Sequence, residues 1–420
     1  MSIHSLQSAL GLLAIVAIAW ALSENRRSFS IRQVAVGLAL QIAIALLLLK
    51  LPAAQSVLLS LNSVVEALTR ATLAGTAFVF GYLGGGEAPF ETIAPSNLFI
   101  LGFQALPLVL VMSALSAVLW QWRVLPAVTR FFSFLLQKSM GLGGAVGLAS
   151  AANIFVGMVE APLLIRPYLA RLSRSEMFIM MTVGLATVSG TVLVLYASIL
   201  EPVVPGALGQ ILVASLISLP ASVVVARLMV PESASEEATE VQQGDPLVQY
   251  ESSMDALTRG TMDGLSLFLN IIAMLVVTVA LVALVNIILG SLPDVNGEAL
   301  SLQRVLGWIF APLVWLMGVP VAETQVAGQL MGTKTILNEM IAYINLSQLP
   351  EGALSPRSSL IILYAMCGFA NLGSVGILIG GLTAMAPSRR SDIVQLGTRA
   401  LVSGTLATSM TGAVIGLIVS

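Results

Sequence analysis

Two glutamates lie in runs of the chain that are otherwise apolar. Glu160 sits in Asn153-Ile-Phe-Val-Gly-Met-Val-Glu160-Ala-Pro162, and Glu339 in Asn338-Glu339-Met340. At membrane depth a carboxylate costs at least ~2.5 kcal/mol, so it persists where it pairs with a base, binds a cation or binds a solute. A purely structural reading pairs these residues with Arg166 or Lys334. The other groups able to do chemistry are neutral oxygens beside glycine-rich interruptions. Asn153, Thr187 and Ser189 supply side-chain oxygens where an unwound helix would also free backbone carbonyls, a donor set for a hard cation such as sodium. Thr and Ser equally bond their own helix carbonyls, which would be packing alone. Asn371 and Ser374 offer an amide and a hydroxyl, and Phe369 an aromatic face, which together suit a polyol attached to a ring. Their structural alternative is small-residue helix packing. Cys367, beside them, reads as packing.

The elements that position these groups must sit in lipid. Of 420 residues, 57% are hydrophobic and only 10% charged, with mean hydropathy +0.96. Soluble domains carry about 25% charged residues, so water cannot be the main solvent here. The length allows roughly eight to ten membrane segments of ~20 residues. A net charge of −2 argues against a nucleic-acid partner. The single cysteine excludes an intramolecular disulfide framework, and the single histidine, His4, excludes histidine catalysis and His metal clusters. No nucleophile stands with a base, and no P-loop is present, so the chain does not read as an enzyme. The first apolar run lacks a preceding basic region and is followed by Arg26-Arg27, so it reads as a span rather than a signal peptide. Most tryptophans fall near the ends of expected spans, which suits an interfacial belt.

Hydropathy predicts eight spans, at 5–22, 33–51, 97–120, 176–199, 207–229, 264–290, 357–386 and 397–419. A mixed stretch, 52–96, is too polar and Gly-rich for a clean span. Two interrupted stretches, 140–165 and 304–346, read as re-entrant hairpins that leave on the side they entered. All but five of the 19 lysines and arginines then fall on one side. The exceptions are Lys50, Arg70, Arg304, Lys334 and Arg357. The basic side is cytoplasmic, and both termini are outside. Full spans in place of hairpins would put Arg166, Arg171 and Arg174 outside.

The halves repeat. Arg123-Val124-Leu125 and Arg304-Val305-Leu306 each open an interrupted stretch, and Glu160 and Glu339 follow at similar distances. Each glutamate precedes a Gly-broken apolar segment, Gly184–Gly190 or Gly368–Ser374. An odd number of crossings separates the copies, so they are inverted, a recurrent plan of secondary transporters. The expected class is therefore an all-α polytopic membrane protein, an inverted repeat with two re-entrant helical hairpins and two broken helices. The division runs 1–96 (N-terminal spans and interfacial scaffold), 97–230 (first repeat), 231–262 (cytoplasmic acidic linker) and 263–420 (second repeat). The linker holds Glu232, Glu236, Glu237, Glu240, Asp245, Glu251 and Asp255 and reads as a solvated connection. This much implies a carrier for a neutral or cationic polar solute.

Four strings carry a closer resemblance. Gly157-Met158-Val159-Glu160-Ala161-Pro162-Leu163-Leu164-Ile165-Arg166-Pro167-Tyr168-Leu169 resembles the first-hairpin signature of the concentrative nucleoside transporters. Thr182 to Val192 resembles their first broken helix, and Lys334-Thr-Ile-Leu-Asn338-Glu339-Met-Ile-Ala-Tyr343 their second hairpin tip. Cys367-Gly-Phe369-Ala-Asn371 with Ser374, continued by Gly380-Gly-Leu-Thr383, resembles their second broken helix. The likeness covers about 97–420. It implies a bacterial inner-membrane symporter, a homotrimer in the lipid bilayer, importing nucleosides with sodium by an elevator-like movement; proton coupling, as in some members, is the alternative. It also implies roles. Glu339, Asn371 and Ser374 would hold the ribose hydroxyls and Phe369 would line the sugar pocket. Met158, Val159, Glu160 and Val192 would face the base. Asn153, Val156, Thr187 and Val188 would bind sodium, the valines through their carbonyls. Many members carry Gln then Thr or Ser where this chain has Met158-Val159. That loses two hydrogen-bonding groups toward the base; Met is polarizable and adaptable, and since some purine-preferring relatives carry it at the first position, the resemblance implies tolerance of purines.

Overall fold

The computed structural model describes residues 3–28, 30–91, 98–232, 239, 250–295, 297 and 299–419. Asn97, which opens the third expected span, and the linker acids Glu236, Glu237, Glu240 and Asp245 lie outside the described residues. The N-terminal part contains α1 (Ile3–Ala21), α2 (Ile31–Lys50) and α3 (Pro52–Phe80). Ser30 caps α2 by accepting from the Gln33 amide. The mixed stretch after residue 51 proves to be largely one helix, α3, started by Pro52 at its first turn. Proline needs no donor there and its φ is preset, a signal that hydropathy alone does not read.

Next come α4 (Leu101–Gln104), α5 (Leu108–Gln121), α6 (Val124–Met140), α7 (Gly144–Asn153) and α8 (Glu160–Leu163). The first glutamate therefore opens a short helix that faces α7 across the interruption 154–159. Gly157 there has φ +116°, a backbone open to glycine and strained for any other residue. One apolar run then forms α9 (Arg174–Ala186) and α10 (Gly190–Leu200), parted at Thr187–Ser189. Ser173 and Glu176 make a reciprocal capping box at the start of α9. Helix α11 (Ala207–Met229) closes this half.

The second half begins at α12 (Ser253–Gly290), so the last part of the expected linker is helical, with Ser252 as its cap. The stretch expected as one hairpin divides in two. An amphipathic helix, α13 (Leu302–Leu316), comes first, and after a turn come α14 (Thr324–Ile336) and α15 (Glu339–Ser347), parted at Leu337-Asn338. Helices α16 (Pro356–Met366) and α17 (Leu372–Met385) split what hydropathy reads as a single span, and α18 (Arg390–Ile418) ends the chain. Arg123 and Arg304 thus stand at the openings of α6 and α13, both amphipathic.

Among the described residues, 6 helical segments are long and apolar enough to cross a membrane. The seventh expected span is absent from that set because α16 and α17 are separate pieces, and α1, which corresponds to the first, is an apolar helix of 19 residues. The chain is a polytopic helical membrane protein. Burial divides it sharply. The segments Arg174–Leu200 and Ala207–Met229 are 94% and 89% buried, whereas Ser253–Gly290 is 6% buried. Helix α12 lies outside the core and packs on α5, where Gly260 and Gly264 let the backbones of Ala114 and Leu110 come close.

Two polar clusters mark the ends of the bundle. At one end Glu24 accepts hydrogen bonds from Arg174 at 2.9 Å and from Arg399, tying the α1–α2 turn to the start of α9 and to the body of α18. At the other end Arg357 donates to the carbonyls of Gly318, Val419 and Gly416, and Ser8 donates to Met317 O at 2.9 Å. The beginning of α1 therefore meets the end of α18.

Candidate functional site

A cavity of about 180 Å³ opens where four chain interruptions meet, at 154–159, 187–189, 337–338 and 367–371. Close backbone approaches assemble them. A Cβ on Gly190 would lie 2.9 Å from the Phe155 carbonyl oxygen, so the first broken helix rests directly on the α7–α8 turn. A Cβ on Gly368 would lie 2.8 Å from the Ala186 carbonyl carbon, so the two broken helices cross without a side chain between them. The start of α17 in turn meets α12 at Met274, whose methyl reaches the Gly373 position.

Glu339 is the best-held group of the site. It is buried at the start of α15, where Asn338 caps the helix by accepting from the Ile341 amide at 2.9 Å. Tyr196 Oη donates to Glu339 Oε1 at 2.5 Å, and Asn371 Nδ2 donates to Oε2 at 3.0 Å. Asn371 also caps α17, its Oδ1 accepting from the Ser374 amide at 2.7 Å. The carboxylate thus joins α10, α15 and α17, each oxygen keeps accepting capacity, and Glu339 lines the cavity. Charge-assisted bonds of this kind are roughly twice as strong as neutral ones. Ser374 and Phe369 line the same wall.

Glu160 lies across the cavity and is exposed to it. Among the described residues neither glutamate forms an ion pair, with Arg166, Lys334 or any other base. Lys334 is fully buried, and its Nζ donates to Thr408 Oγ1 at 3.2 Å. Met158 and Val159 stand beside Glu160 with glycines behind them. The Met158 Cβ is 3.1 Å from the Cβ position of Gly184, and Val159 Cγ1 is 2.9 Å from that of Gly381. All eight residues expected around a solute (Met158, Val159, Glu160, Val192, Glu339, Phe369, Asn371 and Ser374) line this one cavity.

Of the expected cation ligands, Asn153, Thr187 and Val188 are buried behind the cavity wall, whereas Val156 lines the cavity itself. Asn153 Nδ2 donates to Thr187 Oγ1 at 2.5 Å, and Thr187 Oγ1 donates to Val183 O at 2.9 Å. Asn153 Oδ1 is buried and accepts no hydrogen bond. A buried acceptor without a donor costs about 1–3 kcal/mol, so the site suits a group that arrives positively charged. The carbonyl of Val156 likewise accepts no backbone donor among the described residues. Val188 differs, because its carbonyl accepts from Ser215 Oγ at 3.2 Å. The residues present therefore fit an oxygen-ligated cation.

Family models match in three segments along the chain. The family described as Na+ dependent nucleoside transporter, N-terminus, matches residues 10–83, and its C-terminus matches 210–416. A nucleoside recognition (Gate) family matches 102–203. The chain belongs to the concentrative nucleoside transporter family. An uncharacterized transporter of Bacillus subtilis, YutK, is 38% identical, covering 98% of each chain. The nucleoside permease NupC of Helicobacter pylori is 33% identical and covers 100% of this chain and 99% of its own. The structure of CNTnw in an inward-facing substrate-bound state superimposes with TM-score 0.89 at 36% identity, over 99% of both chains.

This member of the concentrative nucleoside transporters draws part of its site from residues that sequence reasoning passed over. Helix α12 contributes Leu267, Asn270, Ile271, Met274 and Thr278, one face at helical spacing. Tyr196, the donor to Glu339, was hidden in an apolar run. Ser189, weighed as a cation ligand or as packing, lines the cavity and hydrogen-bonds Thr191 at 2.8 Å. Asn270 carried a readable signal: an amide in the middle of a long apolar helix.

Proposed function

We propose that the protein imports nucleosides with sodium by an elevator-like movement. In this reading Glu339, Asn371 and Ser374 hold the ribose hydroxyls, and Phe369 covers the sugar. Met158, Val159, Glu160 and Val192 face the base. The Glu339 carboxylate carries the proposal: it lines the cavity and is fixed by Tyr196 and Asn371, yet each oxygen can accept a further hydrogen bond. A ribose diol donates two hydrogen bonds, and a preorganised carboxylate accepts them without first losing its own orientation.

Sodium enters at Asn153, Val156, Thr187 and Val188. The unpartnered Asn153 Oδ1 supports this. A cation there would draw the α7–α8 turn onto the first broken helix and stiffen Glu160 and Ser189 before the solute arrives, which is the physical content of coupling. The α7–α8 and α14–α15 hairpins are re-entrant halves of an inverted repeat and travel with the broken helices. Helix α12 stays with the scaffold, a reading supported by its low burial and its packing on α5. The assembly is a homotrimer in a bacterial inner membrane, with both termini outside; the gathering of Arg174 and Arg399 at one end of the bundle supports that orientation.

Ligand-dependent stability tests the reading. The melting midpoint of purified protein should rise with adenosine or uridine in sodium buffer and stay flat in choline buffer. An equal rise with free nucleobase, which lacks ribose, would overturn the Glu339 assignment.

A further inference from the structure

The pair Met158-Val159 leaves Glu160, an acceptor when ionised, as the one hydrogen-bonding side chain among the four residues read as facing the base. The polar groups around the cavity are mostly committed. Ser189 and Thr191 bond each other, Thr278 donates to Met274 O at 2.6 Å, and Asn371 is used by Glu339 and Ser374. Asn270 is different. Among the described residues its carboxamide makes no hydrogen bond at either end, and it lines the cavity from α12. It lies six residues, ~9 Å at 1.5 Å per residue, inside the apolar run 264–290 of that helix. A polar side chain at such depth is retained for a polar partner. A carboxamide offers one donor face and one acceptor face, the complement of the amide and amidine edges of nucleobases.

We propose that Asn270 is a specificity-determining residue, reading the hydrogen-bonding edge of the base from the scaffold side of the cavity. The inference rests on the nucleoside reading above. It has a mechanical consequence. The ribose is held by α15 and α17, whereas Asn270 belongs to α12. The base contact is therefore made at one end of the stroke and broken as the hairpins leave, so Asn270 selects the base without adding equally to the affinity at both ends.

The test is competition against labelled uridine uptake by proteoliposomes, comparing the native protein with Asn270→Leu and Asn270→Ala. The competitors are inosine, adenosine and unsubstituted purine riboside, which lacks the exocyclic base group. The side chain is exposed and packs into no core, so both variants should retain the native melting midpoint. Inosine and adenosine should lose at least tenfold in inhibition, about 1.4 kcal/mol, while purine riboside changes less than threefold. Equal losses for all three, or none, would overturn the inference. A native protein that takes up no nucleoside would instead overturn the nucleoside reading itself.

Discussion

The Asn371 amide donates to the Glu339 carboxylate across 3.0 Å, which makes the tip of the second hairpin and the start of the second broken helix a single binding surface. Neither residue is satisfied by its own helix alone. Asn371 spends its oxygen capping α17 and its nitrogen orienting Glu339, so one side chain fixes both the backbone break and the carboxylate.

Loss of either residue should therefore act on transport and not on assembly. Glu339→Gln and Asn371→Ala should each lower uptake kcat/KM by about 100-fold, the ~3 kcal/mol scale of a charge-assisted bond. Size-exclusion profiles should match the native protein. Initial-rate uptake checks it, and near-native rates for both variants would refute the assignment.

The apolar pair beside Glu160 should set base preference. Met158→Gln with Val159→Thr should raise the uridine-to-adenosine uptake ratio at least threefold. Val159→Thr nearly preserves shape against Gly381, so the change is one of hydrogen bonding. A ratio equal to the native value would count against this wall as the base-facing one.

The orphaned oxygen of Asn153 predicts the ion response. Asn153→Leu removes a ligand and fills the space with an apolar group, so the sodium concentration for half-maximal uptake should rise at least tenfold. Nucleoside KM at saturating sodium should move far less. Sodium titrations of uptake measure both, and an unshifted sodium curve would place the ion elsewhere.

Crossing of the broken helices should be sterically tight. Gly368→Ala puts a methyl 2.8 Å from the Ala186 carbonyl carbon and from Thr408 Cγ2. Overpacking of this kind costs about 1–3 kcal/mol, so scanning fluorimetry should report a melting midpoint lowered by several degrees. Gly376→Ala, whose Cβ meets open space, is the control and should melt as the native protein does.

Much of this site was legible in the sequence, for a physical reason. Carboxylates and amides are expensive in lipid, so Glu160, Glu339, Asn153 and Asn371 announce themselves by composition alone. Helix breaks announce themselves through glycine, as at Gly157 and Gly190. What stayed hidden had no such cost. Tyr196 resembles any aromatic in an apolar run until Glu339 is seen 2.5 Å away. The helix α3 is too polar for a hydropathy window, and α13 merges with the hairpin after it because both are apolar enough to read as one stretch. Asn270 was readable but lay outside every motif.

At the basic end of the bundle, pH should modulate stability. The hydrogen bond from Arg174 is the main force holding the Glu24 carboxyl below its ordinary 4.5, against the opposing effect of partial burial. A lowered carboxyl contributes stability that is fully present above 4.5 and fades as pH falls through the lowered value. Glu24→Gln should thus melt below the native protein at pH 7, with the difference shrinking under pH 4.5. A difference that persists unchanged in acid would remove Glu24 from this role.

The most direct test of sodium-coupled nucleoside import is uptake of radiolabelled adenosine and uridine by proteoliposomes, with an inward sodium gradient set against an equal choline gradient at matched pH. Accumulation above equilibrium should appear with sodium and be absent with choline. Accumulation driven by a pH gradient alone would contradict sodium coupling, and failure to accumulate either nucleoside would contradict the substrate.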